Sequence, residues 1–157
     1  MPTADGGFAI AGRTSSFGAG SSDFYLIKTD SGGNPQWSKT YGGQGSEEAY
    51  HLQQTTDDGF LIVGDSDSFG DGSTDGYVVK TNAIGDTLWT RVFGGVGYDI
   101  VVCGKQTNDG GYIITGLASS FGAGQEDIYL IKTDSDGNSG CQQRGTTTVV
   151  TSPTTTI

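Results

Sequence analysis

Basic residues are scarce. Eight Lys and Arg stand against eighteen Asp and Glu, a formal charge of −10 on 157 residues. A phosphate backbone or an anionic membrane surface attracts a positive protein, so this balance argues against nucleic acid and membrane partners. Proline occurs three times and histidine once. No apolar run approaches the roughly 20 residues of a membrane span, and no segment sustains a helical spacing of apolar positions. The opening Met1-Pro2-Thr3-Ala4-Asp5 lacks the basic-then-apolar order of a signal peptide, so an exported form is expected to be the mature chain. Apolar residues make up only 33%, yet glycine reaches 28 residues. Gly, Asn and Asp accept the backbone angles of tight turns, so this is the composition of many short strands. Aromatics at 10% supply burial that disordered chains lack.

The chain repeats itself with an offset of 52 residues. Gly7-Phe8-Ala9-Ile10-Ala11-Gly12 returns as Gly59-Phe60-Leu61-Ile62-Val63-Gly64 and as Gly111-Tyr112-Ile113-Ile114-Thr115-Gly116. Ser16-Phe17-Gly18 returns at Ser68 and Ser120, and Tyr25-Leu26-Ile27-Lys28-Thr29 at Tyr77 and Tyr129. Trp37 pairs with Trp89, and Tyr41-Gly42-Gly43 with Phe93-Gly94-Gly95. Each unit reads as four strands. The first is of the Glu48 to Gln54 and Ile100 to Gln106 type. The second, of the Phe60 to Val63 type, is apolar at successive positions and should be covered on both faces. The third is of the Tyr77 to Lys80 type, followed by a Gly-Asn or Gly-Asp hairpin signal. The fourth carries the Trp, as in Thr87 to Phe93.

A four-stranded unit of about 50 residues matches the period of kelch-type propeller blades. Over residues 3 to 140 the chain resembles the secreted bacterial and archaeal β-propeller repeat arrays, with their DGGY, SFG, YLIKTD, GN, W and YGG signatures. The resemblance implies an extracellular or cell-surface setting and no particular chemistry, since propellers host many functions. The fold class expected is therefore all-β, a propeller-like array of three four-stranded antiparallel blades, incomplete at both ends. One domain over 1–145 is expected, with units at 3–54, 55–106 and 107–145 and a Thr-rich tail at 146–157.

The first unit enters at its second strand, and the third departs from the repeat at Cys141, where a Trp is expected. Three blades fall short of the four to eight that usually close a propeller. Open faces and bare edges seek partners. Thr147, Val149, Val150 and Thr151 favour strand, so the tail is a candidate added strand, completing the first unit of this chain or of a neighbour. The alternative is a Thr/Pro-rich linker. Donation to a neighbour gives head-to-tail contacts, hence rings or filaments. The leading expectation is a non-catalytic, self-associating extracellular subunit. The runner-up is a carbohydrate- or protein-binding module.

Cys103 and Cys141 are candidates for a disulfide. In register they are three strands apart, about 14 Å, against the roughly 7 Å a disulfide spans. A bond requires the tail to leave the fourth-strand path; two thiols or an interchain bond are the rivals. Asp65, Asp67, Asp71 and Asp75 alternate as calcium loops do, although only Asp75 recurs, as Asp23 and Asp127. Those three recurring acids read either as a repeated ligand site or as side chains satisfying loop amides, the second being preferred. Lys28, Lys80 and Lys132 are expected to pair locally with acids, and Trp37 and Trp89 to pack between units. His51 has Cys103 as its counterpart and no nucleophile elbow accompanies it. Adjacent Glu47 and Glu48 point to opposite strand faces, which argues against a glycosidase pair. No enzyme activity and no cofactor are expected.

Overall fold

The structure, a computed structural model, describes residues 1–122, 125–140, 143–145 and 149–152, of which 143–145 and 149–150 are described as backbone. Among these residues there is no helix, and so none long and apolar enough to cross a membrane. All the strands pair antiparallel within three sheets. Sheet I holds β1 (Phe8–Thr14), β2 (Asp23–Thr29) and β3 (Pro35–Gly42). Sheet II holds β4 (Glu47–Gln54), β5 (Phe60–Ser66), β6 (Asp75–Thr81) and β7 (Thr87–Phe93). Sheet III holds β8 (Asp99–Gln106), β9 (Tyr112–Ala118) and β10 (Asp127–Thr133). The short segments β11 (Gln143–Gly145) and β12 (Val149–Thr151) add to the outer edges of β7 and β3.

Local chemistry sets the turns. At the β2–β3 corner the Asp30 carboxylate accepts the N–H groups of Gly32 and Asn34, both at 2.9 Å. Asn82 and Asp134 do the same in the later units. Short Asx side chains that capture backbone amides two and four residues on hold such loops closed. Gly33, Gly85 and Gly137 then take φ of 84°, 80° and 76°, a region that costs glycine little.

Period-2 alternation splits each strand between two neighbours. On β5, Phe60 and Ile62 pack with Ala9, Phe24, Leu26 and Tyr41 of sheet I. Leu61 and Val63, on the opposite face, pack with Val101, Tyr112, Ile114 and Ile131 of sheet III. Sheet II is thus covered on both sides, and every residue of β5 and β6 is buried. Trp37 of sheet I meets Phe60 edge-on at 5.9 Å, and Trp89 of sheet II meets Tyr112 at 5.4 Å. These repeated tryptophans lie at the sheet junctions, half-buried, where aromatic edge contacts add to area burial.

Sheet I lacks most of a first strand. Met1 stands in for its end: the Met1 ammonium donates to the Ala9 carbonyl at 2.8 Å, the Ala9 N–H donates to the Met1 carbonyl, and Pro2 bridges Phe8. Beyond Ala9 no described residue pairs with the β1 edge. The tail strand β12 lies on the far side of sheet I, with Val150 opposite Tyr41 and Thr151 opposite Thr40. It therefore joins the first unit, but along β3 and not at the place of the missing strand.

Candidate functional site

Each junction between sheets brings two acidic residues together. Asp23 opens β2 in sheet I and Glu47 opens β4 in sheet II; Asp75 opens β6 and Asp99 opens β8 one unit later. Asp23, Glu47 and Asp99 are fully buried, and Asp75 is 1% exposed. The backbone carries them there. The loop that leads into each of these Asp residues runs beside the start of the next sheet, with Ser22 bridging Ser46 and Thr74 bridging Tyr98 in parallel. Glu47 N–H donates to the Ser22 carbonyl at 2.8 Å and Asp99 N–H to that of Thr74 at 2.9 Å.

Two of the four carboxylates, Glu47 and Asp99, have partners on both oxygens, and two, Asp23 and Asp75, on one oxygen only. Glu47 Oε2 accepts the Gly43 N–H at 2.8 Å and Oε1 accepts the Ser66 hydroxyl at 2.7 Å. Asp99 accepts the Gly95 and Ser120 N–H groups at 2.9 and 3.1 Å, and also the Ser120 hydroxyl. Asp23 Oδ2 accepts the Ala19 N–H at 2.9 Å, and Asp75 Oδ2 that of Gly72 at 3.2 Å. So one oxygen of Asp23 and one of Asp75 do satisfy loop amides. The other, Oδ1, is buried in both and has no partner. A β-carbon on Gly42 would collide with both Asp23 Oδ1 and Glu47 Oε2; one on Gly94 would collide with Asp75 Oδ1 and lie 3.0 Å from Asp99 Oδ2. The glycines keep open the place where the two carboxylates of each pair meet. Burial, followed by the negative charges of Asp99 and Asp71, lifts the Asp75 carboxyl to about 6. Burial, joined by Glu47, raises Asp23 as well. Asp127, the third recurrence, is exposed on sheet III.

The other candidates have separate addresses. Asp65 is buried on β5 and accepts the Tyr50 hydroxyl at 2.7 Å; Asp67 accepts that of Thr74 at 2.7 Å. With Asp75 turned toward Asp99, no group of three or more metal-ligating side chains forms among the described residues. Glu48 is half-exposed and sits 3.3 Å from Arg13, on the side of the strand away from Glu47. His51 is half-buried, its pKa lowered by burial and by Lys105. Cys103 is half-buried on β8; Cys141 and Thr147 lie outside the described residues.

Lys28, Lys80 and Lys132 pair with Asp5, Asp57 and Asp109 at 2.7, 2.9 and 2.8 Å. Each ammonium also donates to a neighbouring carbonyl, of Thr29, Thr81 and Thr133. Lys28 and Lys80 are 5% and 2% exposed, so they are buried clamps on the turns before β1 and β5; Lys132 makes the same contacts before β9 at an exposed position. Asp58 in the second of those turns holds φ at 62°, where Gly6 and Gly110 stand in the others. A left-handed angle strains a residue with a β-carbon, so Asp58→Gly is expected to stabilise the fold by up to about 1 kcal/mol. Urea unfolding of the two proteins, compared at one pH, checks this.

The chain matches no protein-family model and no curated protein.

Proposed function

We propose that the three sheets are blades of an extracellular β-propeller and that the chain completes the propeller with a second copy of itself, as a non-catalytic structural subunit. The observation that carries this reading is the register equivalence of the outward faces. On sheet III, Ile128 and Leu130 are 83% and 64% exposed; their equivalents Gly76 and Val78, and Phe24 and Leu26, are buried against the next sheet. On sheet I, Phe8 and Ile10 are 43% and 52% exposed, while Phe60 and Ile62 are fully buried against the preceding sheet. The two exposed faces are therefore the two halves of a junction the chain already forms twice. Sheet I of one copy fits sheet III of another in that same arrangement, a head-to-tail contact. Two copies contribute six sheets, within the four to eight that close a propeller.

Light scattering on the eluting peak tests it. The expected mass is twice the 16.2 kDa of the chain. A purely monomeric peak at tens of micromolar would overturn the reading.

One observation favours ligand binding as the second reading. A cleft of about 270 Å³ opens where sheets I to III converge, walled by Arg13, Glu48, Tyr50, Asp65, Asp67 and Tyr98. Exposed tyrosines beside hydrogen-bonding acids suit a sugar ring or a polar loop of another protein. Binding on a glycan array that Tyr50→Ala removes would support it; an empty array would count against a sugar.

A further inference from the structure

We propose that each sheet junction is closed by one shared proton, Asp23 with Glu47 and Asp75 with Asp99 acting as carboxyl–carboxylate clamps between neighbouring sheets. This concerns junctions inside one chain and does not rest on self-association.

Three observations converge. Each pair is buried and spans two sheets. In each pair one oxygen, Asp23 Oδ1 or Asp75 Oδ1, is unpartnered and borders the same glycine cradle as an oxygen of the other acid. The remaining surroundings are hydrogen-bond donors: the amides of Ala19, Gly20 and Gly43 and the Ser66 hydroxyl at the first junction, those of Asp71, Gly72, Gly95 and Ser120 and the Ser120 hydroxyl at the second.

Charge completes the argument. The acids facing the pairs are Asp99 and Asp71 toward Asp75, and Glu47 toward Asp23. The ion pairs Arg13–Glu48, Lys28–Asp5, Lys39–Asp86, Lys80–Asp57 and Lys132–Asp109 lie elsewhere, so among the described side chains no Lys, Arg or His pairs with the four acids. Two buried carboxylates without a cation do not both ionise. With one proton on Oδ1, that O–H donates to Glu47 Oε2 or Asp99 Oδ2, and both carboxyl groups are satisfied. The donor-rich surroundings suit this anion-plus-proton pair better than a metal, which takes six to eight oxygens in the case of calcium. Raising the pH sends the proton to solvent and leaves two negative charges facing each other. The titration belongs to the pair.

The sign follows from linkage. The folded pair binds its proton more tightly than the unfolded chain, with Asp75 at about 6. Its contribution is fully present below the unfolded Asp value of about 3.9 and is lost as pH rises through the folded value. Asparagine mimics the protonated acid, its amide donating in place of the O–H. Asp75→Asn is therefore expected to melt roughly 5 °C above wild type at pH 7.5, with the gap closing toward pH 4. Asp23→Asn reports independently on the first junction. Infrared spectra of the wild type at pH 6 are expected to retain a protonated-carboxyl C=O band that each Asn variant diminishes; this readout stands even if one variant fails to fold. Wild-type spectra without that band, or variants whose melting follows pH as the wild type does, overturn the proposal. So does calcium raising wild-type melting at pH 7.5 relative to chelator in a way the Asn variants lose, which would make the pairs a cation site.

Discussion

Gly64→Ala is expected to cost about 3 kcal/mol or more, enough to lower the melting temperature by roughly 10 °C, while the same exchange at the equivalent Gly12 is expected to be neutral or slightly stabilising. Gly64 sits on β5 opposite Ala49 of β4, beside the register shift between Ala49 and His51. A β-carbon there would collide with the Glu48 carbonyl oxygen and lie 2.8 Å from Phe24 Cζ and 2.9 Å from Ala49 Cα. The carbonyl and Cα are backbone held in a sheet, and Phe24 is fully buried, so none can withdraw cheaply. At Gly12 nothing among the described residues lies within 4 Å, because none of them forms a strand beside that part of β1. Alanine there trims the freedom of the unfolded chain, worth about 0.4–1 kcal/mol when the native backbone angle suits it. Urea midpoints of the two variants, compared with wild type, decide the matter. Equal losses at both sites would mean that a strand does cover the β1 edge in solution.

The second large effect concerns association. Ile128→Asp with Leu130→Asp is expected to leave the fold intact and drop the scattering mass from twice 16.2 kDa to that of one chain. Both side chains are exposed within a single chain, so folding does not depend on them. In the proposed contact they are buried, each contributing about 1.5–3 kcal/mol, and each introduced carboxylate adds a desolvation cost. A loss of at least about 100-fold in affinity follows from about 2.8 kcal/mol. Ile10→Asp, at the opposite end, is expected to do the same. Ile84→Asp is the control: Ile84 is 61% exposed but sits on the turn between β6 and β7, off both faces. If the control dissociates the particle as readily as the face variants, the stacked-sheet contact is wrong.

Much of the architecture was written in the repeat. Phe60 to Val63, apolar at successive positions, marked the strand whose faces are both covered, because alternation is pointless for a strand with apolar neighbours on each side; that β6 is equally buried was not read from Tyr77 to Thr81. The Trp-bearing strand was read at the limits observed for β7. The acid pairs were less legible. Asp75 was visible as a recurring acid, and Glu47 was weighed only against its neighbour Glu48, so neither was matched to an acid of the adjoining sheet. The partnership crosses the boundary between sheets, joining positions 24 residues apart, and only the side-by-side course of Ser22 and Ser46 reveals which acid meets which. A search for acids recurring jointly at a second, fixed offset would have found it. The tail was legible as strand but not as to place. A three-residue run such as Val149 to Thr151 carries no face pattern long enough to choose an edge. Likewise, Met1 and Pro2 are too few to announce the remnant of a strand.

The parallel contacts that tie Ser22 to Ser46 and Thr74 to Tyr98 have a bearing on cooperativity. They make sheets I to III a short linear lattice, in which each packed face is covered by the adjoining sheet. The middle sheet gains from two such couplings and each terminal sheet from one. Opening should therefore start at the extremities and move inward, so amide protons of β5 and β6 should exchange with solvent last and those of β1 and β10 first. Capping the two ends with a second copy would remove that gradient and merge the sheets into one all-or-none unit.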